Sequence, residues 1–463
     1  MLDRFFQSIF VSKWFRTEKY QQFLLFSFLI LTSIINFLLC ETIYFQPLHS
    51  ADQLYSPLVI LDVFSGKGIK HWYFPPSPYF FPDLVLMSVL YFLIPFLYLP
   101  TVYGMVQMGF VTLGIYWVLN EFLSKHQSLL FLFYFQTFII IFSVLSSLLN
   151  DNPLPFVYFF TNAHHSTGFF FSFFLVSVLG FNLRKQNWGV YGNKRNLILR
   201  LFFYWIGFSI LYLSDRYSFC IGFLCFMTVY HFEIRKKNSR RLPKVLGWKL
   251  NFIILMFLLL NELTFYGIKH TLQIPNSFGI LLKSLSDKSA DRIFFLSYTY
   301  LFDVSKHIFY QNGSLLLLIS FCLFTVSKFP FRIRILLLTL IPVLLLLLIV
   351  VGRFTYLHPY PIRYLFPIWF LCFLGLSWFL QTVCNRFPIS LIFASFALWI
   401  LVLSSFPKPR QAVAESFLTV TKQKVSYDFE KPIRFWSEGK KEPFPIDNQG
   451  KPYRWITGAF HTP

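Results

Sequence analysis

Long apolar segments follow one another along almost the whole chain, and this pattern limits what the sequence can fold into more than any other feature. About twelve of them lie between residues 21 and 406. In a helix, about 20 apolar residues rise far enough to cross a hydrocarbon core about 30 Å thick. The alternation of apolar and polar residues that a membrane β-barrel needs is not found in these segments. The sequence therefore predicts an all-α polytopic membrane protein of about 11–13 transmembrane helices.

Composition and charge agree with this class. Hydrophobic residues make up 56% of the chain and charged residues 13%, whereas soluble domains carry about 25% charged residues. The formal net charge is +21, from 41 Lys and Arg against 20 Asp and Glu. Of the 41 basic residues, 20 fall in the N-terminus and in four loops that alternate with loops poor in basic residues. The positive-inside rule explains this distribution, so the charge does not indicate a nucleic-acid partner.

The apolar segments and the basic loops together predict three regions. Residues 1–20 form a cytoplasmic N-terminus, and the apolar segment Gln21–Cys40 after them indicates an uncleaved signal anchor. Residues 21–406 form the membrane domain, in which residues 41–83 are a large outer loop. Residues 407–463 form an external tail that is too short for a robust core of its own. On this basis we predict a multi-pass protein of a bacterial-type plasma membrane.

The apolar segments between residues 84 and 149 conflict with the charge rule. If each of them crossed the membrane, residues 151–167 would lie in the cytoplasm, although the basic loop that follows places them outside. One segment must therefore be re-entrant, split or not crossing, and Pro95 and Pro100 make Leu84–Leu99 the suspect. With that correction, six segments are expected to share the outer face: residues 41–83, 151–167, 214–216, 269–313, 352–363 and the tail.

The first outer loop carries the acids on which a catalytic hypothesis can rest. Asp52 is the candidate catalytic base, because a carboxylate can take the proton of an acceptor hydroxyl, and the alternative is a helix cap or a solvated loop acid. Asp83 follows a proline and opens an apolar run, so it is either the N-cap of that run or a substrate-binding residue. Asp62 is expected on a solvated face. The aromatic and proline density of the loop suits a segment at the membrane interface.

Other polar residues on the predicted outer face are candidates for substrate binding. The adjacent His164 and His165 directly precede an apolar run, so they either bind a substrate or anchor the chain at the interface. Asp215 lies between two apolar runs and is either a functional acid at the membrane edge or the partner of the neighbouring arginine. Arg353 and Arg363 lie on the predicted outer face, where the positive-inside rule disfavours basic residues. Their position therefore favours phosphate binding over snorkelling, in which the side chain only reaches to the membrane interface.

The order of these segments resembles that of the GT-C superfamily of integral-membrane glycosyltransferases. The shared features are a first span, a long outer loop with an early acid followed by tyrosine and proline, many further spans and a terminal outer domain. The resemblance implies that Asp52 is a catalytic base or metal ligand, that Tyr55 lies in the substrate site, and that the donor is a sugar on a polyprenyl phosphate. The paired acidic motif of many members is not present, since Gln53 follows Asp52. The sequence therefore leaves open whether a divalent metal takes part. The late arginine that contacts the donor phosphate in that family is matched by Arg363, which precedes a tyrosine.

Chemistry and resemblance together predict a glycosyltransferase whose partners are membrane lipid and a lipid-linked sugar donor, with an acceptor that the sequence does not identify. Glycosyl transfer needs a carboxylate for the acceptor proton and a positive group for the departing phosphate. One alternative is a transporter or flippase, which should carry polar residues at mid-span. Asn261 and Glu262 are almost the only ones. Another alternative is a non-catalytic scaffold that binds a partner through its tail.

Overall fold

The computed structural model describes residues 18–70, 72–120, 123–148, 155–162, 165–185, 194–224, 244–275, 302, 366–384, 388–453 and 456–458. Three predicted site residues, His164, Arg353 and Arg363, lie outside these residues. The structural statements below concern the described part of the chain.

Helices make up most of the described chain, which confirms the prediction that the protein is mainly α-helical. They are α1 (Glu18–Glu41), α2 (Phe45–Leu48), α3 (Tyr55–Phe64), α4 (Val85–Tyr91), α5 (Leu99–Leu119), α6 (Lys125–Leu148), α7 (Ser166–Lys185), α8 (Lys194–Ser214), α9 (Lys244–Thr271), α10 (Phe366–Val383), α11 (Ile389–Ser404), α12 (Arg410–Leu418) and α13 (Tyr427–Trp436). A π-helical turn lies at Phe80–Leu84, and short 3-10 helices lie at Phe96–Tyr98 and Pro155–Phe159. Two short strands, β1 (Lys424–Ser426) and β2 (Phe444–Ile446), pair in parallel in the tail.

Three helical stretches within the described residues are long and apolar enough to cross a membrane, namely Gln21–Glu41, Phe96–Leu119 and Lys125–Leu145. Shorter apolar helices accompany them, among them parts of α7, α8, α10 and α11. These helices are compatible with a membrane protein. The number of spans and the side on which each loop lies remain predictions.

The apolar run Leu84–Leu99 does not form one helix. Helix α4 ends at Tyr91, Pro95 adopts an extended conformation with φ −57° and ψ 136°, and α5 begins only at Leu99. Pro95 cannot donate a helical hydrogen bond, whereas Pro100 is tolerated in the first turn of α5 because the N–H it lacks would have no helical partner there. The run is therefore split, which is one of the outcomes that the charge pattern requires.

One end of the helix bundle, here called the loop face, gathers segments that are far apart in the sequence. It is the end at which α1 finishes and α5 begins, where the Thr101 hydroxyl donates to Glu41 Oε1 at 2.6 Å. Four further segments meet there through direct hydrogen bonds: residues 79–83, the start of α7, the end of α8 and the residues after α9. The tail joins them through Arg410, whose Nε donates to Glu41 Oε2 at 2.9 Å. Among the six predicted outer segments, residues 352–363 lie outside the described chain.

Of the hydrophobic cores in the described chain, the two largest support this arrangement. The larger one lies between α1, α5, α6, α7, α10 and α11 and is dominated by phenylalanine. Most of its ring pairs are edge-to-face or tilted, as for Phe156 and Trp369 with centroids 4.6 Å apart, and some are stacked, as for Phe156 and Phe373. Such pairs are worth about 0.5–1.5 kcal/mol each beyond burial. The smaller core lies beneath the loop face and includes Tyr55, Trp72 and Trp436. The tail therefore packs on the outer loop and shares its core.

Candidate functional site

A set of buried polar side chains, here called the lip cluster, lies at the loop face. Its members come from the π-helical turn and the residue before it, from α5, from the start of α7 and from the residues that follow α8. They are Tyr79, Asp83, Tyr103, Gln107, His165, Thr167, Asp215 and Ser218. All are buried, and polar groups removed from water are stable only when they bond to one another.

Asp83 anchors one half of the cluster. Its Oδ1 accepts hydrogen bonds from the hydroxyls of Tyr103 at 2.5 Å and Thr167 at 2.8 Å. Thr167 Oγ1 also lies 2.6 Å from Gln107 Oε1, and the Gln107 amide donates to the Phe159 carbonyl at 2.7 Å. Asp83 lies within the π-helical turn, and the residue at the N-cap position of α4 is Leu84. The Asp83 carboxylate instead joins α5 to α7.

His165 and Asp215 form the other half. His165 Nδ1 lies 2.6 Å from Asp215 Oδ1, and the hydroxyl of Ser218 donates to Oδ2. Burial acts to raise the pKa of Asp215, but its interactions with His165 and the hydrogen bonds from Ser218 outweigh burial and lower the pKa below its usual range. Because Asp215 accepts at Nδ1, the proton of a neutral imidazole belongs there, and Nε2 is left as the basic nitrogen. Nε2 lies 3.3 Å from the Tyr79 hydroxyl.

The two halves meet at the start of α7. Thr167 bonds to Asp83, and the next residue, Gly168, packs against Asp215. A Cβ atom at Gly168 would lie 2.7 Å from Asp215 Oδ2 and 3.0 Å from Ser218 Oγ. Only glycine allows this approach, so one turn of α7 holds both carboxylates in the same cluster.

Two of the four non-glycine residues with positive φ in the described chain lie in the lip cluster. Tyr79 and His165 have φ values of 54° and 68°, in the left-handed region that costs a residue with a side chain about 1–3 kcal/mol. The surrounding structure holds both: the Tyr79 N–H donates to the Ser214 carbonyl at 3.1 Å, and Ser218 Oγ lies 2.9 Å from the His165 carbonyl oxygen. Strained residues that their neighbours hold in place are typical of functional sites.

The structure brings together some of the predicted site residues and separates others. Asp83, His165 and Asp215 share the lip cluster, and the buried Tyr55 supports it by donating to the Pro78 carbonyl at 3.0 Å. Asp52 lies at the tail, where its Oδ1 accepts a hydrogen bond from Tyr427 at 2.6 Å.

Two interpretations of acidic residues are wrong, one about the partner of Asp215 and one about the exposure of Asp62. Asp215 does not pair with Arg216, whose guanidinium instead bonds to Glu262 at 2.9 Å and lies 3.7 Å from the centre of the Phe265 ring. Asp62 is not on a solvated face: it is 1% exposed, and both of its oxygens accept bonds from Arg434 at 3.0 and 2.8 Å. The tail covers Asp62, and nothing local in the sequence shows this.

Sequence reasoning missed the residues that connect the acids, above all Tyr103, Gln107 and Thr167. One signal was present: Tyr103 and Gln107 are four residues apart in an apolar helix, which places both on one face. Within the described residues, no group of three or more His, Cys, Asp and Glu side chains is arranged to hold a metal ion. Comparisons with protein-family models, with curated proteins and with solved structures find no match to this chain.

Proposed function

We propose that this chain is a multi-pass membrane glycosyltransferase that moves a sugar from a polyprenyl-phosphate donor to an acceptor at the external face of the membrane. The observation that carries the proposal is the lip cluster at one end of an apolar helix bundle: the His165 imidazole contacts the buried Asp215 carboxylate, and the buried Asp83 carboxylate binds the same turn of α7 through Thr167. Buried titratable groups next to strained backbone are typical of catalytic sites.

The chemistry begins with His165. Nε2 takes the proton of the acceptor hydroxyl, and the Asp215 carboxylate at Nδ1 stabilises the imidazolium that forms, as an acid beside a catalytic histidine does. The Tyr79 hydroxyl, which faces Nε2, occupies the position that the acceptor hydroxyl takes in the reaction. Asp83 holds the start of α7, and therefore His165, through Thr167.

The loop face also suits a donor with a lipid tail. Its headgroup needs a polar site, and its chain needs apolar surroundings; the lip cluster lies where polar loops meet apolar helices. A cation must hold the departing phosphate, and Arg363, with Arg353 as second choice, remains our prediction from the sequence for that role.

Asp52 is the alternative base. It is half-buried, and the tail tyrosine Tyr427 donates to it. The contacts favour His165, because Asp215 already orients its imidazole and leaves one nitrogen basic.

The experiment uses the full-length protein in vesicles with synthetic polyprenyl-phosphate sugars as donors and a host lipid and glycan extract as acceptor, and it measures donor consumption. His165→Asn should lower the rate about 10²-fold or more, since general base catalysis contributes that much. Asp215→Asn should lower it too, and Asp447→Asn, which changes a turn in the tail, is the matched control.

Three outcomes separate the hypotheses. Loss of activity in His165→Asn with activity kept in Asp52→Asn supports the lip cluster. The reverse result makes Asp52 the base and leaves the cluster a structural network. If the wild-type protein consumes none of the donors, the glycosyltransferase proposal fails, and a transporter or a scaffold becomes the better explanation.

A further inference from the structure

Helix α4 and the turn that follows it, Phe92 and Leu93, expose apolar side chains. Val85, Val89 and Phe92 follow one another at the four- and three-residue spacing that places them on one side of a helix. Both valines are more than half exposed, and Phe92 and Leu93 are 68% and 71% exposed. We call these four residues the apolar stripe. On a surface that faces water, such positions are normally polar.

The opposite face of α4 is firmly held. Leu84, Met87 and Leu90 are buried in the core beneath the loop face. At the end of the stripe, the Phe64 ring of α3 packs against Phe92, with ring centroids 4.6 Å apart. The stripe is therefore exposed on an element whose opposite side is packed in the core.

The connection to α5 indicates what covers the stripe. Only residues 92–98 separate α4 from α5, and the stretch Phe96–Leu119 is long and apolar enough to cross a membrane. The stripe therefore lies next to the end of a candidate span. Helix α4 has 7 residues, about 10 Å of helix, and the π-helical turn before it is interrupted by the non-helical Phe81, so this element is too short to cross a core of about 30 Å.

We infer that α4 is a shallow membrane wedge: its apolar stripe is buried among the lipid chains of the leaflet at the loop face, and the helix does not cross the bilayer. Aromatic and aliphatic side chains at the end of a span bind such an interface through the burial of apolar area. The inference does not depend on glycosyl transfer.

Three phenylalanines of similar exposure provide a matched test. Phe92 is the test position, Phe110 on the candidate span is 58% exposed, and Phe429 on tail helix α13 is 50% exposed. Each is replaced by the photo-crosslinker p-benzoylphenylalanine in the full-length protein, in vesicles of phosphatidylcholine and phosphatidylglycerol. After irradiation, mass spectrometry identifies the adducts and the part of the lipid that carries them.

We expect acyl-chain adducts at Phe92 at a level close to that at Phe110 and about tenfold above that at Phe429. Leu93→p-benzoylphenylalanine is the second variant, for the case in which the first does not fold. A cross-link between two copies of the chain at these positions, or a lipid yield as low as that at Phe429, would overturn the wedge.

Discussion

The buried pair of Asp62 and Arg434 should decide whether the tail stays attached to the outer loop. Arg434 donates to both Asp62 oxygens at 3.0 and 2.8 Å, and the Trp72 indole donates to Asp62 Oδ2 at 3.0 Å. Asp62→Asn removes the charge and turns an amide NH₂ group toward donors, so one of these bonds is lost and the guanidinium remains buried without its main counter-charge.

The expected loss of stability follows from the ion pair that Arg434 retains in Asp62→Asn. Breaking a buried ion pair costs about 3–5 kcal/mol. Arg434 keeps Glu430, whose Oε1 lies 3.3 Å from its NH1, so the loss should be near the lower limit, about 3 kcal/mol. Because each 1.4 kcal/mol is a factor of ten, local opening of α13 should become about 10²-fold more frequent.

Hydrogen exchange of the backbone amides of α13 measures this opening in the full-length protein. Glu438→Gln is the control, because it removes a negative charge at an exposed position of the same tail. The double variant Asp62→Leu with Arg434→Met should recover only part of the protection: apolar replacement of both partners of a buried pair is often neutral, but the Trp72 indole and Glu430 also lose a hydrogen-bond partner. Exchange in Asp62→Asn within twofold of the wild type and of the control would refute the reasoning.

Three further predictions concern single residues at the loop face. Gly168→Ala should disrupt the lip cluster and lower the thermal unfolding temperature by several degrees. Gly109→Ala, which has open space around its Cβ position, should be neutral or stabilising, and thermal unfolding of both variants checks this. Burial lowers the pKa of His49 to about 4, below its unfolded value, so the unfolded chain binds more protons and stability should fall by about 2 kcal/mol between pH 7 and pH 5. Unfolding temperatures across that range should show a smaller slope for His49→Phe, and an unchanged slope would contradict the assignment. Arg410→Lys should weaken tail attachment by about 1–3 kcal/mol, because lysine cannot reproduce the bonds of Arg410 to Glu41 and to the Leu97 carbonyl. The rate of proteolysis of the tail measures this change, and Lys408→Arg is the control.

The sequence by itself determines the local features of this protein. Apolar segments such as that of α1 are helical because every backbone group of a helix bonds within the segment, whatever lies around it. The break in Leu84–Leu99 is local too, since Pro95 acts on its own neighbours. The acids Asp83 and Asp215 and His165 could be named as candidates because charged and polar groups are costly among apolar helices.

The tertiary structure alone decides which of these residues meet. Asp83 contacts Thr167 and Asp62 contacts Arg434 across 84 and 372 positions of the sequence, and no periodicity records such a pairing. The same holds for burial: Asp62 has the sequence context of a surface residue, and only the docked tail removes it from water. Helix formation depends on contacts four residues apart, whereas the environment of a carboxylate depends on whatever the rest of the chain packs against it, and that is fixed only when the loop, the helix ends and the tail come together.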